Sequence, residues 1–217
     1  MSETLRDLVE MSIVVDPLFS QNCYVLRRRD TSSVLVIDPG LQQQQVLDLL
    51  DKDALSCGRI LLTHGHPDHV SGVPAVKAAH HCDAALHPDD REQLPGVHRF
   101  RDVTGELPDI AIDEDLADGQ VISWQGLDIE VLHTPGHTRG SVCFRIGLDL
   151  YDGDTLFKQS VGRTDLLGGS WDALVFSIEN RLYTLPPETI VYPGHGERTT
   201  IRDEMEHNPF VAHRRFR

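Results

Sequence analysis

The sequence predicts an α/β fold built from two αβ halves. Three observations lead there: short β-rich runs alternate with amphipathic helical stretches, the order strands–helix–strand–helix occurs twice, and 217 residues with 40% hydrophobic content can fill a sizeable core. Two such halves could meet sheet to sheet. No shift in composition marks a linker and no short tandem repeat is visible, so a single domain over residues 1–217 is expected.

Strands are predicted at Ser12–Val15, Cys23–Leu26 and Val34–Ile37, the last stopped by the turn signal Asp38-Pro39-Gly40. A helix follows over Leu41–Lys52, where Val46, Leu49 and Leu50 share one face. Arg59–Thr63 reads as a buried strand that ends at His64-Gly65-His66-Pro67-Asp68-His69. Glycine and proline oppose both strand and helix there, which predicts a loop at a strand's carboxyl end. Val70–His81 is expected to be the next helix. His87–Gly119, rich in proline, glycine and acids, reads as a long surface excursion.

Strands resume at Leu127–Leu132, Ser141–Ile146 and Leu148–Tyr151. Ser170 then caps a helix with the stripe Trp171, Leu174, Val175, Ile178 and Leu182. Thr189–Tyr192 is a final strand, and Thr200 with Asp203 three residues on predicts a capped terminal helix. Trp124, His133 and Cys143 are expected to be packed.

Charge narrows the function classes. Lys+Arg is 20 against Asp+Glu 34, a net charge of −14 that repels phosphate backbones, so no nucleic-acid partner is expected. No run of about 18 apolar residues is present, which argues against a membrane partner. The N-terminal segment MSETLRDLVEMS lacks the apolar stretch of a signal peptide, so a cytoplasmic location is expected. Cys23, Cys57, Cys82 and Cys143 form no C-x-x-C pair and read as free thiols.

Twelve histidines remain to be explained. In an extended H-G-H, residues two apart point the same way, so His64 and His66 can share one metal, with Asp68 and His69 turned toward a second position. His137 in T-P-G-H-T and His195 in P-G-H-G each follow a predicted strand and stand beside glycines that permit tight turns. Asp154 in D-G-D-T-L-F also follows a strand. Imidazole and carboxylate without thiolate suit zinc, manganese or iron and argue against a closed structural zinc site. Seven such residues exceed one tetrahedral ion and match two ions sharing a carboxylate.

F-S-Q-N-C-Y, V-I-D-P-G, T-H-G-H-P-D-H, T-P-G-H-T, G-D-T-L-F, V-G-R-T-D, P-G-H-G-E-R-T-T and H-N-P-F together resemble the metallo-β-lactamase superfamily over nearly the whole chain. Within it the chain is similar to the small bacterial hydrolases of the glyoxalase II-like (hydroxyacylglutathione hydrolase-like) group. The resemblance implies an αββα sandwich of two mixed sheets with helices outside. It also implies two divalent metal ions, zinc first, with iron or manganese accepted by the same ligand types. His64, His66 and His137 would hold one ion, Asp68, His69 and His195 the other, and Asp154 would bridge them. Asp68 is in addition the candidate catalytic carboxylate. Asp38 would fix the ligand loop from behind, since metal-bound imidazoles need their other N–H held; the alternative is an ordinary turn residue.

Two such ions can bridge a water and supply hydroxide near neutral pH. A small acyl thioester such as S-lactoylglutathione is the easiest substrate, because a thiol of pKa about 8.5 leaves without a general acid. Cysteine-bearing β-lactamases and the diiron electron-transfer branch, with glutamate at the position of His66, fit less well. Full-length glyoxalase II carries a C-terminal helical domain that contacts glutathione, and the short stretch after His195 leads us to expect none here. The alternative is a mononuclear-iron persulfide dioxygenase of the same superfamily, suggested by G-R-T-D and L-Y-T-L-P, with His64, His137 and Asp154 as a facial triad. Arg163 could clamp a substrate carboxylate, or pair with Asp165 or a loop carbonyl. A small-molecule substrate and a monomer or homodimer complete the expectation.

Overall fold

The computed structural model describes residues 8–100 and 108–211, with the side chains of 97–100 outside that description. It comprises two compact units: Met1–Leu86 with Arg91–Asp115, and His87–Asp90 with Leu116–Arg217.

The first unit carries a six-stranded sheet in the order β1 to β6: Val9–Val15, Asn22–Arg28, Ser33–Ile37, Ser56–Leu61, Asp83–Leu86 and Glu114–Asp115. β1, β2 and β3 are antiparallel, whereas β3 to β6 run parallel. Strand β3 reads as a nearly continuous apolar run, and Val34 to Ile37 and Ile60 to Leu62 are fully buried. Helix α1 (Gln43–Lys52) packs Val46 and Leu50 into the same cluster as Val36, Ile60 and Leu86. Burial of each such side chain contributes about 1.5–3 kcal/mol.

The expected loop at residues 64–69 ends sooner than predicted. Pro67 starts a short helix α2 (Pro67–Val70) that contains Asp68 and His69, followed by α3 (Val73–His80). Proline breaks a helix interior but is well placed in its first turn, where its missing N–H would have had no partner. The excursion at 87–119 is also less exposed than expected. Pro88–Phe100 forms 3₁₀ turns, Asp90 and Leu116 are buried, and Leu94, Ile110 and Ile112 pack on the first unit's core. Most of its G-E-L-P-D motif lies outside the described residues.

The second unit has a six-stranded sheet in the order β14, β13, β10, β9, β8, β7. These are Thr199–Thr200, Ile190–Pro193, Asp149–Gly153, Val142–Ile146, Leu127–His133 and Val121–Trp124. Only β10 and β13 pair in parallel. A small hairpin, β11 (Leu156–Phe157) with β12 (Ser160–Val161), forms a separate two-stranded sheet. Strand β7 escaped the sequence reading. It joins β8 through Gln125-Gly126, both at positive φ, a two-residue hairpin turn without the usual Asn-Gly signature.

Helix α4 (Trp171–Ser177) is capped by Ser170, whose hydroxyl accepts the Ala173 N–H, and continues as a π turn over Ile178–Leu182. Leu174, Ile178 and Leu182 are buried as predicted, but Trp171 is 45% exposed and off the apolar stripe. Helix α5 (Ile201–His207) carries the predicted cap: Thr200 Oγ1 accepts the Asp203 N–H at 3.1 Å. Trp124 and Cys143 are buried, and all four cysteines are free. No helix among the described residues is long and apolar enough to cross a membrane.

Candidate metal centre

In the first unit the ligand candidates emerge from neighbouring parallel strands. Ile37, the last residue of β3, is opposite Leu61, the last of β4, so Asp38 and the Thr63-His64 step leave the sheet side by side. Open α/β sheets place ligands at this carboxyl end. The Asp38 N–H donates to the Leu61 carbonyl at 3.1 Å, and Asp38 takes a φ of 53°. Left-handed backbone is tolerated by Asp and Asn better than by bulky residues.

The buried Asp38 carboxylate then organises the histidines. Oδ1 accepts the Thr63 N–H at 2.7 Å, and Oδ2 accepts the Thr63 hydroxyl at 2.6 Å and His69 Nδ1–H at 2.9 Å. The Thr63 hydroxyl has spent its one proton on Asp38, so at 3.1 Å it accepts from His64 Nδ1. Both rings therefore carry hydrogen on Nδ1 and have their lone pair on Nε2. One oxygen each of Asp38 and one nitrogen each of His64 and His69 fall within 4.8 Å of one another, and the His64 and His66 rings meet edge-on at 4.8 Å. Asp68 Oδ2 lies 3.8 Å from His69 Nε2. Asp38 is thus bonded to His69 directly and to His64 through Thr63, beyond the part of an ordinary turn residue.

A buried amide pair supports this corner. Gln42 Nε2 donates to Gln21 Oε1 at 2.7 Å, and Gln21 Nε2 donates to the Asp38 carbonyl at 3.2 Å. Gln21, Gln42 and Thr63 were missed as positioning residues; Gln21 stands in F-S-Q-N-C-Y and could have been suspected from it. Gly40 is required by contact. A Cβ there would lie 1.7 Å from the Asp68 carbonyl oxygen.

In the second unit β10 ends at Gly153 opposite Pro193, the end of β13, and the Gly194 N–H donates to the Gly153 carbonyl at 2.7 Å. Asp154 and His195 consequently leave the sheet together. Asp154 Oδ2 lies 3.4 Å from His137 Nε2 and 3.5 Å from His195 Nε2. His137 Nδ1 donates to the Arg163 carbonyl at 2.7 Å, and a carbonyl can only accept. His137 Nε2 is then a lone pair facing a carboxylate unless the ring is charged. That arrangement suits a cation. A Cβ on Gly162 would sit 1.8 Å from the Asp154 carbonyl oxygen, so glycine is needed here as well.

The turn after His137 is held by Asp90. Its buried carboxylate accepts the Thr138 hydroxyl and the Gly140 N–H, each at 2.7 Å. Asp90 carried no sequence signal, since it lies within the acidic excursion. Burial pushes the nearby Asp152 carboxyl well above the ordinary range, and the Leu156 N–H bonded to it opposes that shift. Arg163 is paired with Asp165 through two bonds of 2.7 Å, and both side chains are mostly exposed. The guanidinium holds the Asp165 carboxyl down to about 2. His133 stacks on His87 at 4.3 Å and donates from Nε2 to the Arg139 carbonyl.

Imidazole nitrogens with fixed tautomers, joined by hard carboxylate oxygens, fit a divalent cation of the zinc, iron or manganese kind. The family model described as the metallo-β-lactamase superfamily matches residues 16–195. The chain belongs to the metallo-β-lactamase superfamily. Its His/Asp clusters and this membership imply divalent metal ions. A protein of Mycobacterium leprae is 40% identical over 88% of this chain and 93% of its own length. Hydroxyacylglutathione hydrolase GloC of Haemophilus influenzae is 32% identical, covering 93% of this chain and 98% of that protein. Among solved structures of the superfamily's fold, BLEG-1, a B3 metallo-β-lactamase, has a TM-score of 0.83 and 37% identity over 94% of this chain and 99% of its own. TTHA1623 in a di-iron-bound form has a TM-score of 0.81 and 36% identity over 92% and 100%. ETHE1 from Myxococcus xanthus has 0.79 and 28% identity over 94% and 84%.

Proposed function

We propose that this metallo-hydrolase superfamily member hydrolyses a small acyl thioester, S-lactoylglutathione or a close analogue, using a centre of two divalent ions. The observation that carries the reading is the single Asp154 oxygen set between the Nε2 atoms of His137 and His195, with the His137 Nδ1 proton already committed to a carbonyl. A carboxylate so placed can serve two ions at once. His64, His66 and His137 would hold one ion, Asp68, His69 and His195 the other. Such ions, when bound, lower the pKa of water to near neutrality and polarise a carbonyl.

The chain's own residues supply orientation. Asp38 fixes the tautomers of His64 and His69, and the Arg163 carbonyl fixes that of His137. Asp68, on the first turn of α2, would accept the proton of the reacting water in this reading. A thioester needs no further acid, because the thiolate departs unassisted. GloC at 32% identity supports glutathione as the carrier. Arg163 would contact the substrate carboxylate only by releasing Asp165.

Metal analysis and a steady-state panel of acyl-glutathione and acyl-coenzyme A thioesters test the proposal together. About two ions per chain with rapid hydrolysis of one thioester supports it, and no acceleration across the panel defeats it. A β-lactam belongs in the same panel because of the likeness to BLEG-1. The likeness to ETHE1 favours a second reading, an iron persulfide dioxygenase using His64, His137 and Asp154. Oxygen uptake with glutathione persulfide by iron-loaded protein is its expected signature, and lack of uptake removes it.

A further inference from the structure

Two thiols of the first unit stand together outside the metal chemistry. Cys57 lies on β4, and Cys82 lies between α3 and β5. Strands β4 and β5 are parallel neighbours with Arg59 opposite Asp83. Cys57 is two residues before that pair on one strand, and Cys82 is one residue before it on the other. Both belong to the same buried cluster and both are free, and the two side chains are close enough to act on one another electrostatically. We propose that Cys57 and Cys82 form a reversible disulfide when the protein meets a hydroperoxide.

The two thiols differ in a way that assigns their roles. The neighbouring Cys57 side chain holds the Cys82 thiol below its ordinary value against the opposing effect of burial, with help from a backbone N–H and the Lys77 ammonium. The Cys82 side chain, together with burial, pushes Cys57 up. Cys82 is also the more exposed, at 6% against 2%. Thiolate character and access govern which cysteine is oxidised first. The Cys82 sulfur attacks the peroxide O–O bond, which breaks to give Cys82 sulfenic acid and an alcohol, or water from hydrogen peroxide. The Cys57 sulfur then attacks that sulfur, the S–S bond forms, and the sulfenic oxygen leaves as water. The two thiols lose two electrons, the peroxide gains them, and both thiol protons end in the two oxygen products.

The bridge would enclose residues 57–82, which hold His64, His66, Asp68 and His69. A cross-link across that segment restricts the unfolded chain, so the oxidised protein is expected to melt higher than the reduced one.

The test treats the full chain with hydrogen peroxide, removes the oxidant, alkylates under denaturing conditions and maps the peptides. The expected result is loss of two of the four alkylatable thiols, a cross-linked peptide joining Cys57 to Cys82, and full recovery with dithiothreitol. Cys57→Ser should leave Cys82 as a dimedone-trappable sulfenic acid and abolish the rise in melting midpoint, while Cys23→Ser should change nothing. Should Cys57→Ser not fold, the peptide map of the unaltered chain still decides. Four alkylated thiols after oxidation, a bridge to Cys23, or Cys82 sulfinic acid beside an intact Cys57 thiol would each overturn the proposal.

Discussion

Asp38 does two jobs at one position. Its backbone sits in the left-handed region, and its carboxylate collects hydrogen bonds from Thr63 and His69. Asparagine tolerates the same backbone but lacks the charge and one acceptor oxygen, so Asp38→Asn separates the two roles. The variant should keep its circular-dichroism spectrum while metal affinity or turnover falls roughly 10–100-fold. Equal metal content and turnover in the two proteins would show that Asp38 is only a turn residue. The position of Asp38 was legible because Asp-Pro-Gly closes an apolar strand. Asp90 was not legible: it reaches Thr138 across 48 positions of sequence, and only folding brings such partners together.

At the scale of elements, most strands and helices could be read from periodicity, because apolar spacing reports which face is buried. Strands β5, β6, β7, β11, β12 and β14 escaped that reading, each of four residues or fewer and so too short to show a period. Strand β7 alternates weakly and turns through Gln125-Gly126, and helix α2 hides behind a proline that starts it. Where two elements approach closely, glycine decides. Gly40→Ala should destabilise the protein by at least about 1–3 kcal/mol in urea titration, since its Cβ would meet the Asp68 carbonyl. An unchanged midpoint would mean that the β3–α1 turn shifts freely.

Asp118 joins two elements in another way, accepting the N–H of His133 on β8 and two bonds from Arg181 in the π turn. The Arg181 guanidinium holds its carboxyl below the ordinary range, with burial opposing. A depressed folded value means that the unfolded chain takes up the proton first. The pair's stabilisation is therefore present above the ordinary carboxylate value of about 3.9 and is lost as pH falls through the depressed one. Melting midpoints should decline below about pH 4, less steeply in Asp118→Asn. Both groups are partly exposed, so the difference is expected to be small and to shrink in salt.

The net charge of −14 acts on the molecule as a whole. An anionic thioester such as S-lactoylglutathione must approach a surface of its own sign, and salt screens that repulsion over about 10 Å at 0.1 M. For such a substrate kcat/KM should rise with ionic strength at low salt, whereas a neutral thioester should show little change. A fall with salt for the anionic substrate would point instead to a strong local positive field.

The segment His87–Asp90 counts with the second unit although Arg91–Asp115 separates it from Leu116 in sequence. That unit is accordingly not one uninterrupted length of polypeptide. A fragment beginning at Leu116 would strand the Thr138 hydroxyl and the Gly140 N–H without their acceptor and strip His133 of its stacked neighbour. Asp90 is thus the clasp between the two stretches of chain that make up this unit.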